Sequence, residues 1–359
     1  MTTAAAEIDM AKAEAFGGQI VGVLNGAATA LMISVGHRTG LFDKLAELPA
    51  STSEQIAKAT GLNERYVREW LGSMTVSRVV EHDPVALTYT LPPEHAASLT
   101  RAAGPGNLAA FAQYISLMGD VEDGIVDAFQ KGGGVPYSQF PKFQELMREE
   151  SAQIFDATLI DVTLPLVPGL VEQLKSGIDV ADVGCGAGHA INVMARAFPN
   201  SRFTGYDFSE EGVGIGRAEA KSWGVTNATF EVKDVATLDG SKQFDFITAF
   251  DTIHDQARPR TVLKAIADSL KPGGAFLCVD IQADSSHAGN MDHPMGPMFY
   301  TISTFHCMTV SLALGGEGLG TAWGEQKAQE LLRAAGFTSI TPAHVEGDIF
   351  NVYYVCKKA

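Results

Sequence analysis

The chain has 359 residues, 46% of them hydrophobic and 19% charged, with 26 basic against 42 acidic side chains and a formal net charge of −16. That length suits two domains, or one domain with a substantial insertion, and the apolar content excludes wholesale disorder. Residues 1–100 carry seven basic and eleven acidic side chains, and the remainder is more acidic still. Neither part offers the electropositive field that a nucleic acid or an anionic lipid surface requires.

Cys185, Cys278, Cys307 and Cys356 show no C-x-x-C spacing, which argues against a disulfide framework or a zinc site and suits a reducing compartment. The N-terminus, Met1-Thr2-Thr3 with Glu7, Asp9 and Glu14, lacks the basic start and unbroken apolar run of a signal peptide. Residues 19–36 form the most apolar long stretch, interrupted by Gln19, Asn25, Thr29, Ser34 and three glycines. The expectation is a buried helix rather than a membrane span, too oily to face water alone and therefore a contact between copies in a homodimer. A cytoplasmic protein with no nucleic-acid or membrane partner follows.

In chain order, Ser51-Thr52-Ser53-Glu54 caps a short helix, Gly61 turns the chain, and Asn63 caps a second helix through Tyr66, Val67, Trp70, Leu71 and Met74. Residues 79–81 and 87–91, separated by Asp83-Pro84, read as a hairpin. Helix, turn, helix and hairpin make a winged helix. Between Ser51 and Leu91, four cations (Lys58, Arg65, Arg68, Arg78) face five acids (Glu54, Glu64, Glu69, Glu81, Asp83). DNA docking needs uncompensated cations, so a dimerisation and packing module is the better reading.

Residues 101–170 are rich in Gly, Ala and Phe with helical spacing, and are expected as a helical connector or lid. From Gly177 onward the texture becomes short apolar strands alternating with helices, the signature of an α/β domain. Strands are expected at 179–183, 202–206, 229–232, 244–250 and 275–279, then at 339–344 and 349–356. Helices are expected at 190–198, 210–223, 259–270 and 325–335, with Pro272-Gly273-Gly274 ending the third and Gly336 the fourth.

The first α/β strand runs into Asp182-Val183-Gly184-Cys185-Gly186-Ala187-Gly188 and then a helix. Glycines here let the backbone turn sharply and approach a ligand. His189 stands where a dinucleotide fingerprint has its third glycine, which argues against NAD, and no G-K-[ST] phosphate loop is present. Asp207 closes the second strand, 19 residues after Gly188, where a carboxylate can accept from both ribose hydroxyls. Asp234 closes the third strand and can receive an adenine amino group, and Asp251 follows the fourth. Strand ends share one rim, and four such sites fit an adenosine with a compact cationic tail better than a pyrophosphate.

The run from Asp182 to Gly188, the acids Asp207 and Asp234, and Leu270-Lys271-Pro272-Gly273-Gly274 resemble the class I S-adenosylmethionine-dependent methyltransferases. The resemblance covers 177–359. With the winged helix it extends to dimeric small-molecule O-methyltransferases and to a group of actinobacterial winged-helix methyltransferases. It implies a Rossmann-like seven-stranded α/β sheet at 171–359, preceded by a mainly helical winged-helix dimerisation domain at 1–100 and a helical lid at 101–170. By carry-over, Asp182, Gly184, Gly186 and Gly188 hold the methionine part, Asp207 the ribose, and Asp234 with Val235 the adenine. Phe208 packs beside the adenine, and Phe250 completes the cofactor set.

Methyl transfer from a sulfonium is an in-line displacement, in which alignment supplies about 7–11 kcal/mol of barrier reduction. A hydroxyl acceptor must also lose a proton to a base. His254 lies just beyond the fourth strand in Phe250-Asp251-Thr252-Ile253-His254-Asp255, where the resemblance implies a His-Asp pair with histidine as base. Asp251 either orients His254 or caps the following segment, and Asp255 is the weaker partner. Gln256-Ala257-Arg258-Pro259 departs from the Trp-containing continuation of the plant-type enzymes, which leaves the substrate class open.

The segment 284–320, rich in Met, Phe and His, is expected to roof an apolar or aromatic acceptor pocket, with Tyr300 and His306 as polar contacts. Tyr137 is expected to close over the methionine end. His287, His293 and Asp292 match no ligand spacing, so no metal is expected. The function expected is methylation of a small molecule at oxygen. The alternatives are a winged-helix transcription regulator that binds S-adenosylmethionine without turnover, and aminopropyl transfer on the same frame.

Overall fold

The computed structural model describes residues 8–358. Residues 1–7, which include Met1-Thr2-Thr3 and Glu7 of the N-terminal reading, and Ala359 lie outside the described residues. The chain divides into two compact units, Met1–Ser116 and Leu117–Ala359, and residues 101–170 fall across that division.

The first unit opens with a 29-residue helix, Met10–Arg38, whose N-cap Asp9 accepts from the Lys12 N–H. Helices Leu41–Glu47, Ser53–Thr60 and Glu64–Val76 follow. Thr52 and Gln55 bond each other's backbone N–H groups in a reciprocal cap, and Asn63 caps the next helix through the Arg65 N–H at 3.1 Å. The hairpin is β1 (Glu81–Asp83) and β2 (Thr88–Thr90). It starts later than residue 79 because the Val79 N–H is taken by the Met74 carbonyl in closing the preceding helix. Asp83 makes the turn, accepting from the Val85 and Ala86 N–H groups.

Trp70, Phe42, Ile56, Leu71 and Met74 form this unit's core, and Trp70 Nε1 donates to the Met32 carbonyl at 2.8 Å. A Cβ on Gly36 would lie 2.5 Å from the Trp70 ring, so only glycine lets the long helix sit there. Residues 19–36 depart from the expected buried helix. Ile20, Val21, Val23, Leu24, Leu31 and Val35 are exposed, and only Ser34, Gly36 and His37 are buried. Its apolar side chains surround the helix on all sides, whereas only its last turns meet the Trp70 core. By length and composition, Met10–Arg38 is also apolar enough to cross a membrane. On the helix Glu64–Val76, Arg65 pairs with Glu69 and Arg68 with Glu64.

The second unit holds a seven-stranded sheet: β3 (Asp179–Val183), β4 (Arg202–Asp207), β5 (Ala228–Val232), β6 (Phe244–Phe250), β7 (Leu270–Ile281), β8 (Ser339–Ala343) and β9 (Asn351–Lys357). The order is β5-β4-β3-β6-β7-β9-β8, parallel from β5 to β7, with β9 antiparallel to both neighbours. This is the expected Rossmann-like methyltransferase sheet. β7 starts at Leu270, so Pro272-Gly273-Gly274 lies within the strand, where the register against β6 shifts, and the helix before it is Pro259–Ser269. Side chains alternate between the two faces: Val180 and Phe246 join one apolar cluster, Ala181 and Ile247 the other. Helices His189–Ala197, Glu210–Trp223 and Gly324–Ala335 pack in the crossovers and flanks.

Ahead of the sheet, the helix Phe143–Ile154 runs into a π-helical stretch, Phe155–Thr163. After β7, segment 284–320 forms the helix Gly296–Ile302, a π-turn over Ser303–Cys307 and the helix Met308–Ala313.

Candidate active site

The strand order reverses between β4 and β6 around β3, the place where open α/β sheets bind ligands. The glycine loop stands there. Gly184, Gly186 and Gly188 all have positive φ (70°, 50° and 70°). Side chains are excluded by contact as well as by conformation: a Cβ on Gly184 would lie 2.2 Å from Thr252, and one on Gly188 would lie 2.3 Å from Phe230. The Gly184 and Cys185 N–H groups donate to the Tyr206 carbonyl, and the Gly186 N–H donates to Asp207 Oδ2 at 2.8 Å. The loop is thereby tied to the end of β4.

A cleft of ≈ 400 Å³ opens over this loop. Asp182, the three glycines, Asp207, Phe208, Asp234, Val235, Phe250, Asp251 and Tyr137 all line it. Asp182 is 2% exposed and accepts from Thr248 Oγ1 at 2.7 Å; burial lifts its pKa to about 7. Asp207 Oδ1 accepts from the Ser209 N–H, so each oxygen holds one backbone donor and keeps a lone pair for a ligand. Burial raises Asp207 above the usual carboxylate range against those bonds. Asp234 is half exposed, accepting from the Ala236 N–H and from Arg258 Nη2 at 2.9 Å.

The remaining wall comes from the helix Phe143–Ile154 and from the loop after β6. Phe143, Gln144, Met147, Arg148 and Ser151 line it on one side, and Thr252, Asp255, Gln256 and Ala257 on the other. Val310 and Leu314 bring segment 284–320 to the same cleft. Among the described residues, no group of three or more His, Cys, Asp or Glu side chains is arranged to hold a metal ion.

His254 is 4% exposed and stands behind this loop rather than in the cleft wall. Its Nδ1 lies 2.7 Å from Asp280 Oδ1, at the end of β7. Asp280 is the orienting carboxylate, and Asp251 is not. Asp251 adopts a left-handed backbone (φ 49°) that turns away after β6 and leaves its side chain in the cleft wall. The same Asp280 oxygen also accepts from the Ile281 N–H and from Trp323 Nε1. Burial opposes a charged imidazole, but Asp280 and the Cys307 side chain beside it outweigh burial and hold His254 well above the ordinary histidine range.

Tyr300 and His306 do not line the cleft. The Tyr300 hydroxyl accepts from Asn290 Nδ2 at 2.9 Å. His306 is buried, stacked on Phe143 with ring centroids 3.9 Å apart and edge-on to Tyr137 and Phe140. Burial drops its pKa to about 3, so it is a neutral imidazole. Tyr137 also meets Phe208 edge-on, which spans the cleft between its two ends. Asp280, Trp323, Gln144 and Cys307 escaped the sequence reading. An acid closing the apolar run Phe276-Leu277-Cys278-Val279 is the one signal that marks Asp280.

Residues 174–336 match the methyltransferase domain family, and residues 27–101 match the Rv2258c-like winged HTH domain. Among curated proteins, the chain is 33% identical over 114 residues to a ubiquinone biosynthesis O-methyltransferase of Shewanella pealeana, covering 31% of this chain and 48% of that protein. It is 31% identical over 104 residues to a fatty-acid O-methyltransferase of Mycolicibacterium smegmatis, covering 29% of this chain and 37% of that one. The match to the Shewanella protein thus spans about half that relative's length, and the match to the Mycolicibacterium protein less. Two solved structures align over nearly the whole chain, each at 17% identity. The mitomycin 7-O-methyltransferase MmcR has a TM-score of 0.71, covering 97% of this chain and 99% of that one. Human N-acetylserotonin methyltransferase in complex with SAM has a TM-score of 0.64, covering 99% of this chain and 100% of that one. At that identity the likeness speaks for the fold.

Proposed function

We propose that this chain, which belongs to the class I methyltransferases and carries a winged helix-turn-helix domain ahead of the methyltransferase domain, uses S-adenosylmethionine to methylate a hydroxyl of a small apolar or aromatic molecule. One observation carries the reading: a single cleft joins the glycine loop, Asp207 and Asp234 to the loop Asp251–Ala257, directly in front of the buried His254–Asp280 pair. The donor fits the residues present. The glycine cradle excludes side chains, Asp207 retains a lone pair on each oxygen, and an enclosed Asp251 oxygen lacks a partner among the described residues.

When bound, S-adenosylmethionine supplies an electrophilic methyl group on a positively charged sulfur. Asp207 accepts the ribose hydroxyls, Asp234 and Val235 hold the adenine with Phe208 beside it, and Asp182 with Gly184, Gly186, Gly188 and Phe250 frames the methionine part. His254 takes the acceptor's hydroxyl proton, and Asp280 fixes the imidazole and stabilises its charge. The aromatic cover of Tyr137, Phe140, Phe143 and His306 excludes water and must part for the acceptor to reach His254. His306, neutral and buried, then offers its ring nitrogen to the acceptor. Tyr300, held by Asn290, has no role in this scheme.

The apolar surface of Met10–Arg38 supports a homodimer through this helix, and the paired arginines of Glu64–Val76 favour packing over DNA binding. Glycines and polar residues through the helix, and four free thiols, favour a cytoplasmic protein over a membrane-anchored one. Calorimetric titration with S-adenosylmethionine and S-adenosylhomocysteine tests the reading. Micromolar binding of both is expected, and binding of neither overturns it. A DNA mobility shift at low salt would favour the regulator instead.

A further inference from the structure

The cleft holds more negative charge than its own residues neutralise. Asp251 and Asp255 both line it, four residues apart in the loop after β6. Asp251 Oδ1 is fully enclosed and has no hydrogen-bond partner among the described residues, on a left-handed backbone that a non-glycine residue adopts only under strain. Among the described residues, Asp255 accepts only from its neighbour Gln256, at 3.3 Å. The basic groups in the wall lie elsewhere. His189 is committed to Glu219 and Asp156, and Lys233 sits at the end of β5 near the Tyr206 ring. Arg148 interacts with Glu219.

Position narrows the role. Asp255 lies within electrostatic reach of both His254 and Asp207. Those residues mark the ribose and the base, and the reacting sulfur must lie between them, because it is bonded to the ribose carbon and its methyl group points toward the base. Asp251 stands on the same loop and senses His254, Asp280, Glu150 and Asp348.

Resting on the donor assigned above, we propose that Asp255, backed by Asp251, is the counter-charge for the donor's sulfonium. The site thereby distinguishes the positively charged donor from its neutral-sulfur product. Before transfer the carboxylate and the cation attract each other in the poorly screened interior of the cleft. After transfer the sulfur is neutral, the attraction is gone, and the product leaves a site with an unpaired buried charge.

Burial first, and then Asp207 and Asp280, lift Asp255 to about 7 against the opposing pull of His254; burial and Asp280 lift Asp251 to about 8. Near neutral pH, a cation arriving beside these groups therefore expels a proton, and a neutral ligand does not.

The test is calorimetric and needs no acceptor. Wild-type protein is expected to bind S-adenosylmethionine more tightly than S-adenosylhomocysteine. In Asp255→Asn, affinity for the charged donor falls about tenfold or more while affinity for the product stays within about twofold. Equal losses for both ligands, or none for either, overturn the proposal. If neither ligand binds wild-type protein, the donor assignment itself fails, which is a separate result. Should the variant not fold, wild-type titrations at pH 6.5 in two buffers of different protonation enthalpy decide: proton release with the donor alone supports the proposal, and equal release with both ligands overturns it.

Discussion

Trp323 and His254 donate to the same oxygen of Asp280, at 3.0 and 2.7 Å, and the Ile281 N–H completes a set of three donors on that one atom. A carboxylate held this way cannot rotate, so the imidazole it grips has one orientation and its Nδ1 carries a proton. The other Asp280 oxygen is enclosed and unpartnered among the described residues, which concentrates the group's electrostatic influence on His254.

Removing the proposed base is expected to separate chemistry from binding. His254→Ala should lower kcat by about 10²–10⁴-fold while leaving the product's Kd unchanged. Asp280→Asn should lower kcat by a similar order, since an amide can hold the wrong tautomer. Steady-state kinetics beside calorimetry checks both; wild-type kcat in His254→Ala removes it from the mechanism.

The pH profile should rise toward alkaline pH. His254 is held above the ordinary histidine range, so at neutral pH it is largely the imidazolium, which cannot take a proton. Turnover at saturating donor should therefore go on increasing with pH through and beyond neutrality, and Asp280→Asn should move the inflection to lower pH. A flat profile across pH 6–9 would contradict the base assignment.

Apo-protein stability should fall as pH rises. Asp182, Asp251 and Asp255 have folded pKa values raised above their unfolded ones, so the native state holds more protons than the unfolded state between about pH 4 and 8. The stability they contribute is present at low pH and is lost through that window. Asp251→Asn should raise apo stability at pH 8 by about 1 kcal/mol and flatten the decline, as thermal unfolding at several pH values would show.

Gly184→Ala should be among the most damaging single substitutions in the second unit. It combines a φ of 70° with a Cβ 2.2 Å from Thr252, and a cost of about 2–4 kcal/mol is expected, with loss of donor binding. Chemical denaturation measures it, and a wild-type midpoint would contradict the contact.

Leu24 is 65% exposed on the long N-terminal helix. Leu24→Asp should leave the chain folded, shift a dimer toward monomer and improve solubility. Light scattering at micromolar concentration reads the mass; an unchanged dimer would place the contact elsewhere.

The glycine loop, Asp207 and Asp234 were legible because each is a strand end, and strand ends in a parallel sheet share a rim whatever the intervening helices do. Asp280 was not, because its partner stands 26 residues earlier and pairing across β6 and β7 depends on a register that shifts at Phe244/Phe246. The same shift hid the true start of β7 at Leu270. Helical spacing marks residues 101–170 as a helical connector but carries no information about where its helices dock, so the part of Phe143 and Gln144 in the cleft is not written in the sequence. The outward face of Met10–Arg38 was misread because oiliness predicts burial without saying against what.

The widened turns of Phe155–Thr163 set an angular phase for everything before them. Phe155 meets Phe250 edge-on at 4.8 Å as the cleft's floor begins. Deleting one residue between 156 and 163 with the wide turns kept would rotate the preceding helix by on the order of a quarter of a turn about its axis. Gln144 and Arg148 would then leave the cleft wall. An enzyme shortened by a single residue here would keep its sheet, its glycine loop and His254, yet lose the enclosure that the reaction needs.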